Sequence, residues 1–232
     1  MARPIVAWSY SALGMFENCP RKYWAVKIGK MVDDGNQHNR KGDAEHAGIE
    51  HFLKQGLALP PRLAPLQSMF ERIRAAPGEQ YIEFKMTLTN QMVVCSGTDW
   101  NNAWVRGAAD YLKVNGAKAT YLDWKSGKVR KSDDQIELTA LLVFRHFPAV
   151  QQVNGGLVFY AHGAAHPRIV HRQEESLLWN GWITRVRALE EAIQTNNFPV
   201  NPNPLCAYCP YKACPHNTTD AREAKERAQN GN

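Results

Sequence analysis

The chain has 232 residues, 44% hydrophobic and 22% charged, which is enough for a sizeable buried core and excludes a globally disordered polymer. Its formal net charge of +6 favours a polyanionic partner, although a merely soluble basic surface would carry the same charge. The longest apolar run, 138-LTALLVF-144, is far too short to span a bilayer, and the opening MARPIVAWSY lacks the features of an export signal. A cytosolic protein with no membrane partner is expected.

Residues 9–30 read as a helix with Ser9 or Ser11 as cap. Within it, 21-RKYWAVKIGK-30, followed by Arg40 and Lys41, mixes cations with aromatics in a way suited to phosphate contact and base stacking. A second helix fits 42–56, before the Pro60-Pro61 break, and a third covers about 64–75. The runs 80–88, 91–97, 103–114 and 117–126 read as strands. The stretch 132-SDDQ-135 predicts a capping box, Gln135 reaching back to Ser132, at the start of a helix over 133–147. A strand at 156–162 and an amphipathic helix at 174–195 follow, the latter with Leu178, Trp182, Val186, Leu189 and Ile193 as its apolar stripe. Between them, His162, His166 and His171 read as a solvated loop, because Gly163 and Pro167 interrupt any ligating helix face. This order predicts an α/β fold: a central mixed β-sheet flanked by helices, in one domain over 1–216, with a flexible polar tail at 217–232.

Asn115-Gly116 lies between two strand-like runs and predicts a hairpin with a type I′ turn. With those two residues as the loop, Val114 pairs with Ala117 and Asp110 sits opposite Tyr121. Asp110, Asp123 and Lys125 then share one face, while Val105, Ala109, Tyr111, Leu122 and Trp124 share the other. The two acids become diagonal neighbours, roughly 7–8 Å apart at the backbone. Two carboxylates on a sheet covered on both faces need compensation. An ion pair of either acid with Lys125 or Arg106 would supply it, and so would a divalent cation.

The segments GAADYL and YLDWKSGK together resemble the PD-(D/E)XK nuclease signature, in particular that of its RecB-type family, G-x-x-D followed by D-x-K-(T/S)-G. Gly107 and Asp110 match the first element; Asp123, Lys125, Ser126 and Gly127 match the second. Gly42 and His46 match that family's G-x-x-x-H, with His51 and Glu50 as neighbouring rivals to His46. Gln135 matches its glutamine-led motif, where Thr139 replaces the usual aromatic. Glu83 lies where related nucleases often carry an acid on the preceding strand. The resemblance implies a restriction-endonuclease-like core and a Mg²⁺ or Mn²⁺ ion held by His46, Asp110, Asp123 and the Trp124 carbonyl. It also implies that Lys125 assists water in attacking a phosphodiester, with Glu83 and Gln135 in support.

Cys206, Cys209 and Cys214 stand as C-x₂-C-x₄-C, a spacing that favours metal over disulfides in a chain without an export signal. Cys19, Cys95 and His216 compete as fourth ligand; Cys95 reads as a buried strand residue, and His216 would complete a Cys₃His zinc site. The opening 9-SYSALGMFENCPRKYW-24 is similar to that of iron–sulfur members of the RecB-type family, matching at Ser9, Ser11, Phe16, Cys19, Pro20 and Tyr23. In them a [4Fe–4S] cluster staples the chain's ends, which would make Cys19, Cys206, Cys209 and Cys214 the ligands here, with Zn²⁺ as the alternative.

The resemblance extends to CRISPR-associated RecB-like nucleases and the AddB nuclease domain. It implies a metal-dependent DNA exonuclease, with DNA ends or single strands as partner and a helicase or recombination protein as companion. The competing reading is a non-catalytic nucleic-acid-binding or assembly module with a structural zinc. No G-x-x-x-x-G-K-[ST] loop is present, which argues against an ATP-driven motor.

Overall fold

Five strands form one sheet in the order β1-β2-β3-β4-β5 in the computed structural model, which describes residues 7–33, 37–99, 101–220 and 222. They are β1 (Glu79–Leu88), β2 (Val105–Asn115), β3 (Lys118–Trp124), β4 (Gln152–Phe159) and β5 (Ala164–His171). The β3–β4 pair is parallel and the other three pairs are antiparallel, so the sheet is mixed as expected. The parallel pair needs a crossover, supplied by α5 (Asp134–His146). No helix among the described residues is long and apolar enough to cross a membrane.

The chain divides into two compact units, one containing residues 7–10 and 37–184, the other 11–33 and 185–220. In the first, α3 (Gln37–Gln55) and α4 (Gln67–Ala75) share a core with the sheet. Ile49, Phe52, Phe70, Tyr111 and Trp124 are buried together there, and Phe70 meets Trp124 edge to face at 5.2 Å. Helix α5 is buried all round from Ile136 to Phe144, except for Glu137. Gly107 explains how closely α5 approaches: a Cβ there would lie 2.4 Å from Leu142 Cδ1.

In the second unit, the helix expected over 9–30 is broken. Residues Tyr10–Asn18 form α1, Pro20–Tyr23 form α2, and Trp24–Ile28 continue as a π-helical turn. The cause is Pro20, which excludes its predecessor from helical geometry; Cys19 is extended, with φ −161° and ψ 106°. The C-terminal part of α6 (Glu175–Thr195) and the 3₁₀ turn Pro204–Tyr208 belong to the same unit. Its two chain segments are joined by Asn201 and Asn203 side chains donating to the Asn18 carbonyl at 2.9 and 3.1 Å, and by Tyr23 stacked on Phe198.

Four expectations need correction. Residues 91–97 are not a strand: Val94 makes only an isolated bridge to Leu88, and Cys95 is partly exposed. The stretch read as a histidine loop holds β5, where Pro167 is accommodated because this is an edge strand. The hairpin pairs Val114 with Ala119 and Asn115 with Lys118, so its loop is Gly116-Ala117. Of these two loop residues Gly116 has positive φ, 57°, and Ala117 does not, the pattern of a type II′ turn. The capping box at 132–135 does not form, since Asp133 occupies the cap position without a side-chain cap bond. Residues 1–6, Arg40 and Lys41 side chains, and the tail at 221 and 223–232 lie outside the described residues.

Candidate active site

Strict alternation fails on β1 and β2 where the acids lie. Phe84 faces α5, against His146 and Phe147, while Ile82 packs against the opposite core around Phe70. The residue between them, Glu83, has φ 55°, in the left-handed region that non-glycine residues seldom occupy. Across the ladder, Ala109 pairs with Phe84 and Tyr111 with Ile82, so β2 reverses its faces at Asp110. The expectation that Ala109 and Tyr111 share a face is therefore wrong. Carrying the observed registers through the break aligns Glu83, Asp110 and Asp123 across three strands. Backbone strain at such a point marks functional sites more often than it marks core.

Each carboxylate has its own supports. Asp110 Oδ2 accepts the Trp124 N–H at 2.8 Å and lies 3.6 Å from His46 Nδ1 on α3. Asp123 Oδ1 accepts the Tyr121 hydroxyl at 3.1 Å and Gln135 Nε2 on α5 at 2.7 Å. Asp123 Oδ2 is 2.6 Å from Lys125 Nζ, yet this buried oxygen accepts no aligned hydrogen bond. The close approach and the missing bond are consistent: the ammonium is near enough to attract but is poorly directed.

Crowding shows in the protonation equilibria. Burial, then repulsion from Asp123 and Glu83, pushes Asp110 up to about 7, against the opposing pull of the Trp124 N–H and Lys125. Glu83 is raised as well, first by burial and then by Glu50 and Asp123, with Lys54 and Lys85 opposing. Tyr121 is raised well above the usual phenol range by burial and by Asp123, so its hydroxyl remains a donor.

Of the residues singled out in the sequence, His46, Asp110, Asp123, Lys125, Trp124, Glu83 and Gln135 meet in this region. Of the rivals to His46, Glu50 pairs with Lys54 at 2.7 Å and acts on Glu83 through its charge, while His51 is exposed. The anticipated ion pair does form, between Lys125 and Asp123. Tyr121 was not singled out; its position two residues before Asp123, on the same strand face, was the available signal. His166 pairs with Asp133 at 2.7 Å rather than joining the other histidines. Gly42 brings α3 against the loop after β3, where a Cβ would lie 2.7 Å from Ser126 Oγ.

The donor set of two carboxylates, a carbonyl and an imidazole has the hard, oxygen-rich character suited to a divalent cation. The buried, poorly bonded Asp123 Oδ2 beside two further acids leaves negative charge that one ammonium does not balance. Among the described residues, however, no three His, Cys, Asp or Glu side chains converge closely enough to enclose an ion. The chemistry of the set fits a cation, and the spacing is that of an open site.

Cys19, Cys206, Cys209 and Cys214 line one cavity of about 20 Å³, room for a single atom-sized guest. His216 is exposed and does not line it. Burial raises the Cys209 thiol pKa, with Lys22 lowering it and Cys19 and Cys206 raising it further.

The family model of the PD-(D/E)XK nuclease superfamily matches residues 7–215 of the chain. No protein of curated function matches its sequence. Among solved structures, the crystal structure of SSO0001 is 16% identical, with 91% of this chain and 87% of that one covered at a TM-score of 0.48. A "Putative exonuclease" from Eubacterium rectale is 11% identical, with 79% and 81% covered at a TM-score of 0.41.

Proposed function

The chain belongs to the PD-(D/E)XK nuclease superfamily, and from that membership we propose a metal-dependent deoxyribonuclease that degrades DNA ends or single strands as an exonuclease. The observation that carries the reading is the state of Asp123: two donors fix Oδ1, while Oδ2 stays buried and poorly bonded beside Asp110 and Glu83. Asp110, Asp123, His46 and the Trp124 carbonyl would hold Mg²⁺ or Mn²⁺, with Glu83 in support. Such an ion supplies acidification of water and compensation of charge building on the phosphate oxygens.

The chain's own groups supply the rest. Tyr121 and Gln135 hold the Asp123 carboxylate in one rotamer, so a substrate phosphate meets a prearranged site. Lys125 places its ammonium beside Asp123 Oδ2, where it orients the attacking water. The water oxygen bonds to phosphorus as the bond to O3′ breaks, leaving a 5′-phosphate on one product and a 3′-hydroxyl on the other.

We further propose that Cys19, Cys206, Cys209 and Cys214 hold a [4Fe–4S] cluster joining the two segments of their unit. Their shared cavity supports a common guest, and the absence of His216 from its lining argues against a Cys₃His zinc site. Among the described residues no three of these thiols converge as ligands of an ion, so a cluster requires them to reorient around it.

The test of the nuclease reading uses anaerobically purified protein and end-labelled single- and double-stranded DNA, with Mg²⁺, Mn²⁺ or EDTA. Stepwise shortening from an end, dependent on the ion and giving 5′-phosphates, is expected. Absence of cleavage with either ion on every substrate would defeat it.

A further inference from the structure

A cavity of about 850 Å³ opens beside the acids, and the chemistry so far does not use it. Ser126 and Gly127, the residues that follow Lys125, form part of its wall. That volume is in the range of small-molecule sites, roughly 300–1,000 Å³. Its polar groups are graded. On one side Glu45 Oε2 accepts the Tyr160 hydroxyl at 2.9 Å, and the Tyr160 ring stands edge-on to His46 at 6.3 Å. Glu45 Oε1 forms an ion pair with Arg62 Nη1 at 3.6 Å, longer than a hydrogen bond, so an incoming N–H can replace the exposed guanidinium there and free it for a phosphate. Leu63 and Leu66 add apolar wall, and the cations Arg62, whose side chain is 75% exposed, and Lys128 stand at the rim.

A carboxylate inside a cavity repels phosphate and selects a group bearing N–H or O–H. Apolar walls favour a flat ring, and exposed cations favour phosphate. One ligand combines these in this order: a nucleotide with its base inside and its phosphate outside. We propose that this cavity is a subsite for one unpaired nucleotide of the strand being cut, its base directed toward Glu45 and its phosphate toward Arg62 and Lys128. The proposal rests on the nuclease reading and adds a requirement to it. A base stacked in a duplex cannot enter without leaving the stack, so the strand must be frayed, single or locally opened next to the cut.

The experiment scans an abasic residue through a single-stranded oligodeoxynucleotide, one position at a time. KM and kcat are measured with Mn²⁺, and Kd is measured by fluorescence anisotropy in EDTA. In wild type, one position should raise KM and Kd about tenfold, as expected for loss of a hydrogen bond to a charged group and of base packing. Glu45→Gln should flatten that position's effect. Arg62→Ala, an exposed change that leaves the core intact, should raise KM several-fold more than it lowers kcat at every position. Equal response at all positions with cleavage intact would overturn the subsite and leave the nuclease reading standing. So would an unchanged positional effect in Glu45→Gln. If wild type cuts no substrate, the nuclease reading fails, and a flat Kd scan then removes the subsite too.

Discussion

Tyr121 donates its hydroxyl to Asp123 Oδ1 across 3.1 Å, and its ring is wholly buried. Gln135 donates to the same oxygen from α5 at 2.7 Å, so a strand and a crossover helix fix one carboxylate. Partners of this kind typically cost 10–100-fold in metal affinity when removed. Tyr121→Phe and Gln135→Ala are each expected to weaken Mn²⁺ binding by roughly that factor, read by titration calorimetry, with DNA affinity in EDTA unchanged. Wild-type Mn²⁺ affinity in both variants would show that Asp123 needs no such support.

Asp110 gives a pH dependence whose sign follows from its shift. Its folded pKa of about 7 lies above the unfolded carboxylate value of about 3.9. Between these values the unfolded chain binds fewer protons, so ion-free stability falls as pH rises from about 4 to about 7. Thermal midpoints in EDTA should decline across this window. Asp110→Asn should lose much of that decline and melt above wild type at pH 8, while cleaving no DNA. A wild-type midpoint that rises across the window would contradict the assignment of the shift.

Asp123→Ala and Lys125→Ala should abolish cleavage with both Mg²⁺ and Mn²⁺ while leaving DNA binding largely intact, because phosphate contacts along the strand position the substrate independently of the reacting centre. End-labelled cleavage and anisotropy on the same preparations separate the two effects. Near wild-type cleavage by Asp123→Ala in Mn²⁺ would remove Asp123 from the active site.

The mixed sheet and the acid-bearing hairpin were legible because periodicity survives errors of register. The loop was placed one residue too early, which slips the pairing by two; side chains repeat every two residues, so Asp123 and Lys125 kept their assigned face. The reversal at Glu83 and Asp110 was not legible. The run 81-YIEFK-85 alternates as any half-buried strand does, and nothing in it announces a positive φ on glutamate. Gln135 carries two readings in the sequence, capping-box partner of Ser132 and glutamine of a site motif; Asp123, twelve residues upstream, takes its amide, and the local capping signature goes unused. Strand β5 was missed because Gly163 and Pro167 are breakers by local rule, and an edge position suspends that rule for proline. Cys19's exit from helix had its signal in Pro20, and the expected helix over 9–30 passed over it.

That exit governs the last prediction. Cys19 is extended ahead of α2, and in the same unit it lines a cavity with Cys206, Cys209 and Cys214. A guest bound by all four thiols would close a loop of nearly the whole chain, which restrains the unfolded state more than a local C-x₂-C-x₄-C site could. Strictly anaerobic purification should give a brown protein with about four irons per chain. Cys19→Ser should bleach it and lower its thermal midpoint, because the two segments would then be held only by hydrogen bonds such as those to Asn18 and Pro199, by ring contacts such as Tyr23 on Phe198, and by the Glu17–Arg185 ion pair. Cys95→Ser should change neither colour nor iron, since Cys95 lies outside that cavity. Cleavage should partly survive in Cys19→Ser, because no thiol belongs to the acid row of Glu83, Asp110 and Asp123. Zinc in place of iron after such purification, released by His216→Ala and retained by Cys19→Ser, would overturn the cluster and assign a local Cys₃His site despite the exposure of His216.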